Sequence, residues 1–392
     1  MKNVENYESF LAKIDLPQLN NELDYYPKDE WDAITLNYTS GTTGDPKGVL
    51  YHHRGAHLMC LNNQMVWKMG YHPTYLWTLP MFHCNGWCFP WTIVALAGTQ
   101  ICINKFDGRE IIKSINKNNV SHLCGAPIIL QMIIENKKYK KNKSIINVMT
   151  AASPPPPSVL ENIEKSGFSV THVYGLTESY GPAVICEWKP EWNEIKSSAK
   201  KAILKSRQGV NYPSLDFLEV FHQKKMKPVK RDGQTLGEVV FKGNIIMKGY
   251  LNNELANKIA FKKGWFHTGD LAVMHKDGYI ELKDRSKDII ISGGENISSI
   301  EIEKIIMKHP NVKDCAVIGI KDEKWGEVPC AFIEKKNNGL ITSDLILKFC
   351  KKYLAGFKIP KKIIFQSLPR TSTGKIQKYN LRKILKQNDG EI

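Results

Sequence analysis

"YTSGTTGDPKGVLYHHRGA", Tyr38 to Ala56, crowds hydroxyls and glycines together and closes the loop with Pro46, Lys47 and Gly48. Main-chain N–H groups converge on an anion only where side chains leave room. Gly41, Gly44 and Gly48 leave that room, while Thr39, Ser40, Thr42 and Thr43 add donors and Lys47 adds a cation. The ligand chemistry that matches is polyphosphate. The spacing is not that of the Walker loop, because proline stands at 46 where glycine is needed and Gly48 follows Lys47 where a hydroxyl would meet magnesium. Proline also bars direct continuation into a helix, so a flexible flap over phosphates is expected.

Outward from this loop, "ITLNYT" reads as a strand entering it and "HRGAHLMCLNNQMVW" as a helix leaving it. Then "TYLWTLP", "TQICINKF" and "SHLCGAP" read as strands, separated by a buried helix "WCFPWTIVALAG" closed by Gly98 and by the helical "GREIIKSINKNNV". Strands alternating with crossover helices predict parallel sheets with helices on both faces. Beyond Tyr180, "LDFLEVFHQ", "GEVVFKG" and "GYIELKD", with Asp-Gly turns at Asp232-Gly233 and Asp277-Gly278, predict a compact β subdomain. After Asp284, helical "SSIEIEKIIMKHP" and "SDLILKFCKKYL" among strands predict a small α+β unit. The expected fold is therefore α/β: a large N-terminal domain over 1–284 with parallel sheets, flanking helices and a β subdomain, and a small C-terminal lid over 285–392. "SPPPPS" reads as a rigid turn, and residues 1–33 as an irregular lead-in.

The totals narrow the function. With 392 residues and 42% apolar composition, two or three domains are expected. Nine cysteines scattered in apolar runs, without a C-x-x-C pair or a secretory leader, predict reduced thiols and a cytoplasmic protein. No apolar run approaches the roughly 18–20 residues of a membrane span. The net charge of +16 is spread as dispersed lysines, not one basic block, which argues against nucleic acid as the partner and for small polyanions such as nucleotides. Residues 285–392 hold 21 Lys plus Arg against 12 Asp plus Glu, so much of the surplus sits in the last unit.

Four later stretches carry chemistry. In "HVYGLTES", His172 to Ser179, a strand runs into Gly175 and ends near Glu178, the place where open α/β sheets put ligand contacts; a carboxylate there suits a hard cation beside phosphate. In "GWFHTGDLA", Asp270 is an acid suited to accept both ribose hydroxyls, with Arg285 of "KDRSKDIIISGGENIS" as its cationic neighbour. "LPRTSTGKIQK" delivers Lys375 on a Thr-Gly turn after an apolar strand. His83, Cys84 and Cys88 in "LPMFHCNGWCFPW" lack a second cluster to complete a tetrahedral metal set.

Taken in order, these strings resemble the AMP-forming adenylating enzymes, the superfamily of acyl-CoA synthetases, firefly-type luciferases and peptide-synthetase adenylation domains. The match runs from about Glu30 to Lys378 and looks most like the methylthioalkanoate and medium-chain acyl-CoA ligase branch with its plant relatives. The resemblance implies that the Thr39–Gly44 loop and Lys47 hold the phosphates of ATP, that Ser153 and Pro154 of "TAASPPPP" lie on adenine, and that Tyr174 stacks on it beside Gly175. It implies Thr177 on the α-phosphate, Glu178 on Mg²⁺, Asp270 and Arg285 on ribose, and Lys375 as the catalytic lysine. His83 becomes an aromatic gate, Trp87 and Gly181 line the acyl pocket, and Asp284 is the hinge. Gly293 and Gly294 lie beside the coenzyme A thiol after rotation. The implied activity is ligation of a short- or medium-chain carboxylic acid to CoA through an acyl-adenylate, with transfer to a carrier-protein thiol and a shortened homologue that only binds nucleotide as alternatives. A dimer contact made by many relatives makes a homodimer an open expectation. Family members carry a further section before the phosphate loop, so the chain reads as a fragment or an internal-start product, with a sheet edge and an apolar surface expected to lie uncovered.

Overall fold

A computed structural model describes residues 7–13, 26–39, 46–136, 144–151, 157–336, 341–371 and 375–388. The phosphate loop springs from a hairpin: Ala33–Tyr38 pairs antiparallel with Gly48–His52, Tyr38 opposite Gly48, and Gly249–Tyr250 pairs with the far side of Gly48–His52. These strands form a separate three-stranded sheet, so the strand before the loop does not open the parallel sheet that the strand–helix rhythm suggests. The hydrogen-bonding edge of Gly48–His52 is taken by a segment two hundred residues away, which local pattern does not reveal.

The main sheet has seven strands in the spatial order Thr99–Cys102, Thr74–Trp77, His122–Gly125, Ile146–Thr150, Phe168–Leu176, Gly181–Ile185, Val210–Asn211. The first five are parallel and the last two antiparallel. Alternation along the strands sends neighbours to opposite faces. Leu76, Leu123 and Val148 pack with Ile111, Ile115, Ile129 and Ile163 of the helices Gly108–Asn118, Pro127–Ile134 and Pro157–Lys165. Tyr75, Cys124 and Met149 pack on the other face with Met59 and Ile93 of His53–Val66 and Phe89–Ala95. Each such aliphatic side chain, fully buried, contributes about 1.5–3 kcal/mol. Among the described residues no further strand pairs with the outer strand Thr99–Cys102, whose Thr99, Gln100 and Cys102 are exposed.

The helix expected from Trp87 starts later, at Phe89, because Cys84, Asn85, Gly86, Trp87 and Cys88 all have positive φ, from 50° to 63°. The helix also closes differently. Ala97 takes the left-handed position (φ 49°), while Gly98 is needed because a Cβ there would lie 2.7 Å from the Pro73 carbonyl oxygen.

The β subdomain is an antiparallel sheet of Phe217–Phe221, Gly237–Lys242, Phe266–Met274 and Ile280–Arg285 in that order. The last unit is built on Val312–Asp322 and Gly326–Lys335, with Ile290–Ser292, Glu295–Ile297 and the parallel Lys362–Phe365 completing five strands. Ile302, Ile306, Ile346 and Cys350 of two helices cover the face that carries Val317 and Ile333; Leu381 and Leu385 of Lys378–Asn388 cover the face that carries Ile318 and Phe332. Among the described residues no apolar cluster spans the stretch from Leu282 to Ile290: the cluster with Ile280 reaches Leu282, and those of the last unit begin at Ile290. Among the described residues no helix is long and apolar enough to cross a membrane. The "SPPPPS" turn lies largely outside the described residues.

Candidate active site

The carboxyl end of Phe168–Leu176 carries Tyr174 and Gly175, and the chain then turns through Thr177–Ser179 into Gly181–Ile185. The turn is tied by Ser179, whose hydroxyl accepts from Leu176 N at 2.9 Å and donates to the Gly181 carbonyl at 2.8 Å. Asp270, only 4% exposed, is met by the Tyr174 hydroxyl at 2.7 Å on Oδ2 and by Arg285 Nε at 3.0 Å on Oδ1. Asp270 and Arg285 stand opposite each other on adjacent strands, which is why residues fifteen apart meet. The Asp270 charge raises the Arg285 pKa, and burial followed by Asp270 raises that of Tyr174. A carboxylate held by a ring hydroxyl and a guanidinium is a polar socket with an aromatic face beside it, suited to a nucleoside.

Two glycines fix this corner against the expected acyl pocket. A Cβ on Gly175 would sit 1.8 Å from the Gly181 carbonyl oxygen, and one on Gly181 (φ 105°) would strike the Trp87 ring at 2.7 Å. Trp87 is buried in the left-handed run that follows His83. Left-handed helical backbone costs roughly 1–2 kcal/mol for each residue with a side chain, so the four such residues need restraints. They have them: Asn85 Nδ2 donates to Thr35 Oγ1 at 2.8 Å, Asn63 Nδ2 to the Trp87 carbonyl at 2.8 Å, and the Cys88 thiol to the Tyr180 carbonyl at 3.8 Å. The Cys84 thiol points to Thr177 Oγ1 at 3.7 Å, and the Thr177 carbonyl accepts from Tyr51 at 2.7 Å.

On the phosphate side, the base of the hairpin is zipped by Thr39 N to the Lys47 carbonyl and Lys47 N to Thr39 Oγ1, each 3.0 Å. Ser40, Gly41, Thr42, Thr43 and Gly44 lie outside the described residues, as do Ser153 and Pro154. The Lys47 ammonium stands 4.6 Å from the centre of the Tyr250 ring, and the Tyr250 hydroxyl donates to Glu178 Oε1 at 2.7 Å. Pro46, Lys47, Gly48 and Tyr250 border a cavity of about 290 Å³. Among the described residues no three His, Cys, Asp or Glu side chains gather as a metal cage. A lone carboxylate, Glu178, beside a phosphate loop is the donor set that suits magnesium, which keeps waters and takes phosphate oxygens in place of an all-protein shell.

Lys375 arrives from the last unit. Its main chain is pinned to Thr371 in both directions, N to Thr371 Oγ1 at 3.1 Å and Thr371 N to its carbonyl at 2.8 Å. Burial first, then the Arg285 charge, lowers its pKa, while Cys84, Asp270 and Glu178 act to raise it. Burial and then the Lys375 charge push His83 down to about 4, so that imidazole is neutral at ordinary pH. Burial lifts the Cys84 thiol to about 11. His83, Cys84, Glu178, Asp270 and Arg285 are thus within electrostatic reach of the Lys375 ammonium.

Asp284, buried at 3% exposure, accepts from Ser299 N at 2.5 Å and Ser299 Oγ at 2.7 Å, which anchors the first helix of the last unit. Lys378 extends this network to Ser299 Oγ at 2.6 Å and Glu303 at 2.8 Å. Gly293 and Gly294 form the turn of the hairpin between Ile290–Ser292 and Glu295–Ile297, with Gly293 N bonded to the Trp325 carbonyl at 2.8 Å and its face against the Trp325 ring. Tyr250 and Tyr51 escaped sequence reasoning as site residues, and Cys84 entered it only as a discounted metal ligand. Tyr250 lies 72 positions from Glu178, and nothing in "MKGYLNN" marks its hydroxyl for a carboxylate.

The fold and this gathering of side chains define an adenylate-forming enzyme architecture. The chain belongs to the AMP-binding enzyme family: the model of that family matches residues 4–251, and the model of the AMP-binding enzyme C-terminal domain matches residues 301–375. It is 48% identical over 395 residues to the peroxisomal acetate/butyrate–CoA ligase of Arabidopsis thaliana, covering 98% of this chain and 68% of that ligase. It is 49% identical over 391 residues to an acetate–CoA ligase of Humulus lupulus, covering 97% of this chain and 68% of the relative. In structure it is similar to the o-succinylbenzoate CoA synthetase of Bacillus subtilis in complex with ATP and magnesium ion, with a TM-score of 0.80, 28% identity, and 90% of this chain and 70% of that chain covered. The family, the α/β fold and the class of acid-thiol ligase expected from the motifs are borne out. ATP, Mg²⁺ and CoA are the reactants and cofactor of this class.

Proposed function

We propose that the chain activates a short- or medium-chain aliphatic carboxylic acid with ATP and passes the acyl group to coenzyme A, with the residues around Lys375 as its active site. The observation that carries the reading is the buried Asp270 carboxylate bonded by Tyr174 and Arg285, with the Lys375 charge within electrostatic reach of Arg285, Asp270, Glu178 and His83. Asp270 and Arg285 hold the ribose and the Tyr174 ring flanks adenine. Lys47 and Thr177 bind phosphate oxygens. Magnesium, beside Glu178, neutralises phosphate charge when bound. The carboxylate oxygen attacks the α-phosphorus, the bond to the pyrophosphate bridge breaks, and pyrophosphate leaves. Lys375 donates to the oxygens on which charge grows, in a partly dehydrated site where a fixed cation is worth more than in water.

The thiol of CoA then attacks the acyl carbon and AMP leaves. A lysine seated on the α-phosphate blocks that approach, so residues 285–392 act as a mobile lid turning about Asp284, withdrawing Lys375 and bringing Gly293 and Gly294 to the thiol path. His83, neutral, gates the path, and Trp87 against Gly181 closes the acyl end. The aliphatic acid class is supported by the relatives named for acetate and butyrate. Nine free thiols fit a reducing compartment, the cytoplasm in this reading, although one of those relatives is named peroxisomal. A homodimer is the expected assembly, read by light scattering.

The test is Lys375→Ala. Pyrophosphate release with acetate, butyrate and hexanoate is expected to fall about 100–1,000-fold, the range for loss of one transition-state donor. Thioester formation from supplied butyryl-AMP and CoA is expected to stay within about threefold. Unchanged pyrophosphate release removes Lys375 from the reaction.

A further inference from the structure

Tyr250 is the residue of the phosphate corner that no motif marks, and it touches both of that corner's charged groups. Its hydroxyl donates to Glu178 Oε1 at 2.7 Å, and its ring lies 4.6 Å under the Lys47 ammonium. It is buried at 7% exposure, and its strand pairs with Gly48–His52 on the side away from Ala33–Tyr38, so its position is tied to the base of the hairpin. The Glu178 main chain is fixed independently, since Met247 N donates to its carbonyl at 2.8 Å.

We propose that Tyr250 is a positioning residue that joins the phosphate hairpin to the metal-binding carboxylate, holding one oxygen of Glu178 so that the other faces the metal and holding Lys47 at the mouth of the phosphate cavity. This rests on the reading of Glu178 as the magnesium carboxylate. A carboxylate on a flexible stem loses rotamer freedom when it binds a metal. A hydroxyl already bonded to one oxygen removes part of that loss in advance and leaves the second oxygen unspent. The ring does the same for the lysine, because an ammonium over an aromatic face is held by electrostatic attraction without a counter-charge that would compete with phosphate. The two contacts are separable: phenylalanine removes the hydroxyl and keeps the ring, whereas leucine removes both. The backbone does not depend on either, since Tyr250 N donates to Asn257 Oδ1 at 2.7 Å and Asn257 Nδ2 donates to the Tyr250 carbonyl at 3.0 Å.

The experiment measures binding, not turnover. Calorimetry gives the affinity of the full chain for α,β-methylene-ATP with and without saturating Mg²⁺, and for AMP without metal. For Tyr250→Phe, the gain in affinity on adding Mg²⁺ is expected to shrink about tenfold, the scale of one hydrogen bond to a charged group, with AMP affinity within about twofold of the parent. Tyr250→Leu is expected to lose a further threefold or so in metal-free triphosphate affinity, as Lys47 loses its support. Glu178→Gln separates this proposal from the reading beneath it. If Glu178→Gln abolishes the Mg²⁺ gain and Tyr250→Phe leaves it intact, the role of Tyr250 is overturned and that of Glu178 stands. Loss of the gain in neither variant overturns both. A Tyr250→Phe protein that loses AMP affinity as much as Mg²⁺ gain shows a merely structural tyrosine and also overturns the proposal. The double variant Tyr250→Phe with Glu178→Gln should lose no more Mg²⁺ gain than Glu178→Gln alone; additive losses refute the coupling.

Discussion

Adding one methyl group at Gly175 tests how closely two strands of the site are packed. In Gly175→Ala the new carbon would lie 1.8 Å from the Gly181 carbonyl oxygen, 2.6 Å from its carbon and 2.9 Å from Pro182 Cα, whereas ordinary contact begins at 3.4 Å. All three atoms are main chain, so no side chain can swing aside, and the strands must separate by about 1.6 Å along that contact. Gly181 cannot retreat freely, because its own α-carbon faces the Trp87 ring. Overpacking of this kind costs roughly 1–3 kcal/mol, and at about 2–4 °C per kcal/mol for a unit of this size the melting temperature should fall roughly 2–12 °C. Tyr174 precedes the altered residue and bonds Asp270. A misplacement of about 1 Å there should cut the adenylation rate on the order of 100-fold. Scanning calorimetry reads the first effect and single-turnover pyrophosphate release the second. An alanine protein with the parent's melting temperature and adenylation rate refutes the close approach of Gly175 to Gly181.

Two further outcomes follow from charge. In the proposed mechanism Lys375 acts as a cation, and burial, then the Arg285 charge, lowers its pKa below the ordinary lysine value. Single-turnover adenylation should therefore decline on the alkaline side at a lower pH than an exposed lysine would give, as the amine loses its proton. His83, at about 4, adds no limb between pH 5 and 8. Asp284→Ala removes the acceptor for Ser299 N and Oγ. The last unit should lose about 1–2 kcal/mol of stability, as for a lost helix cap, read by urea unfolding followed at the tryptophans.

Much of the fold is written in local pattern. The strand–helix alternation after Thr74 and the Asp-Gly turns both have structural counterparts, because each depends on periodicity or turn chemistry within a few residues. What pattern cannot carry is pairing. The hairpin of the phosphate loop takes its third strand from Gly249–Tyr250, and no feature of either segment names the other. The reversal after Leu176, which makes Gly181–Ile185 antiparallel, is likewise decided by glycines whose need is visible only in contact. The left-handed run at Cys84–Cys88 overrides the helix expected from Trp87 at its first two residues, since Asn63 and Thr35, far off in the chain, supply bonds that hold it. Of the site, Asp270 with Arg285 was legible as a pair, while Tyr250 was not, its meaning lying wholly in what it touches.

The proximity of Lys375 and Arg285 has a bearing on when the lobes come together. Two cations drawn into one poorly hydrated cleft repel, and Asp270, already shared by Tyr174 and Arg285, offsets this only in part. In the proposed complex, with ribose at Arg285 and the α-phosphate at Lys375, the nucleotide's negative charge offsets that repulsion. If residues 285–392 turn as proposed, the nucleotide is its own latch: the lobe shuts on an occupied cleft and is loosened when pyrophosphate carries most of the negative charge away.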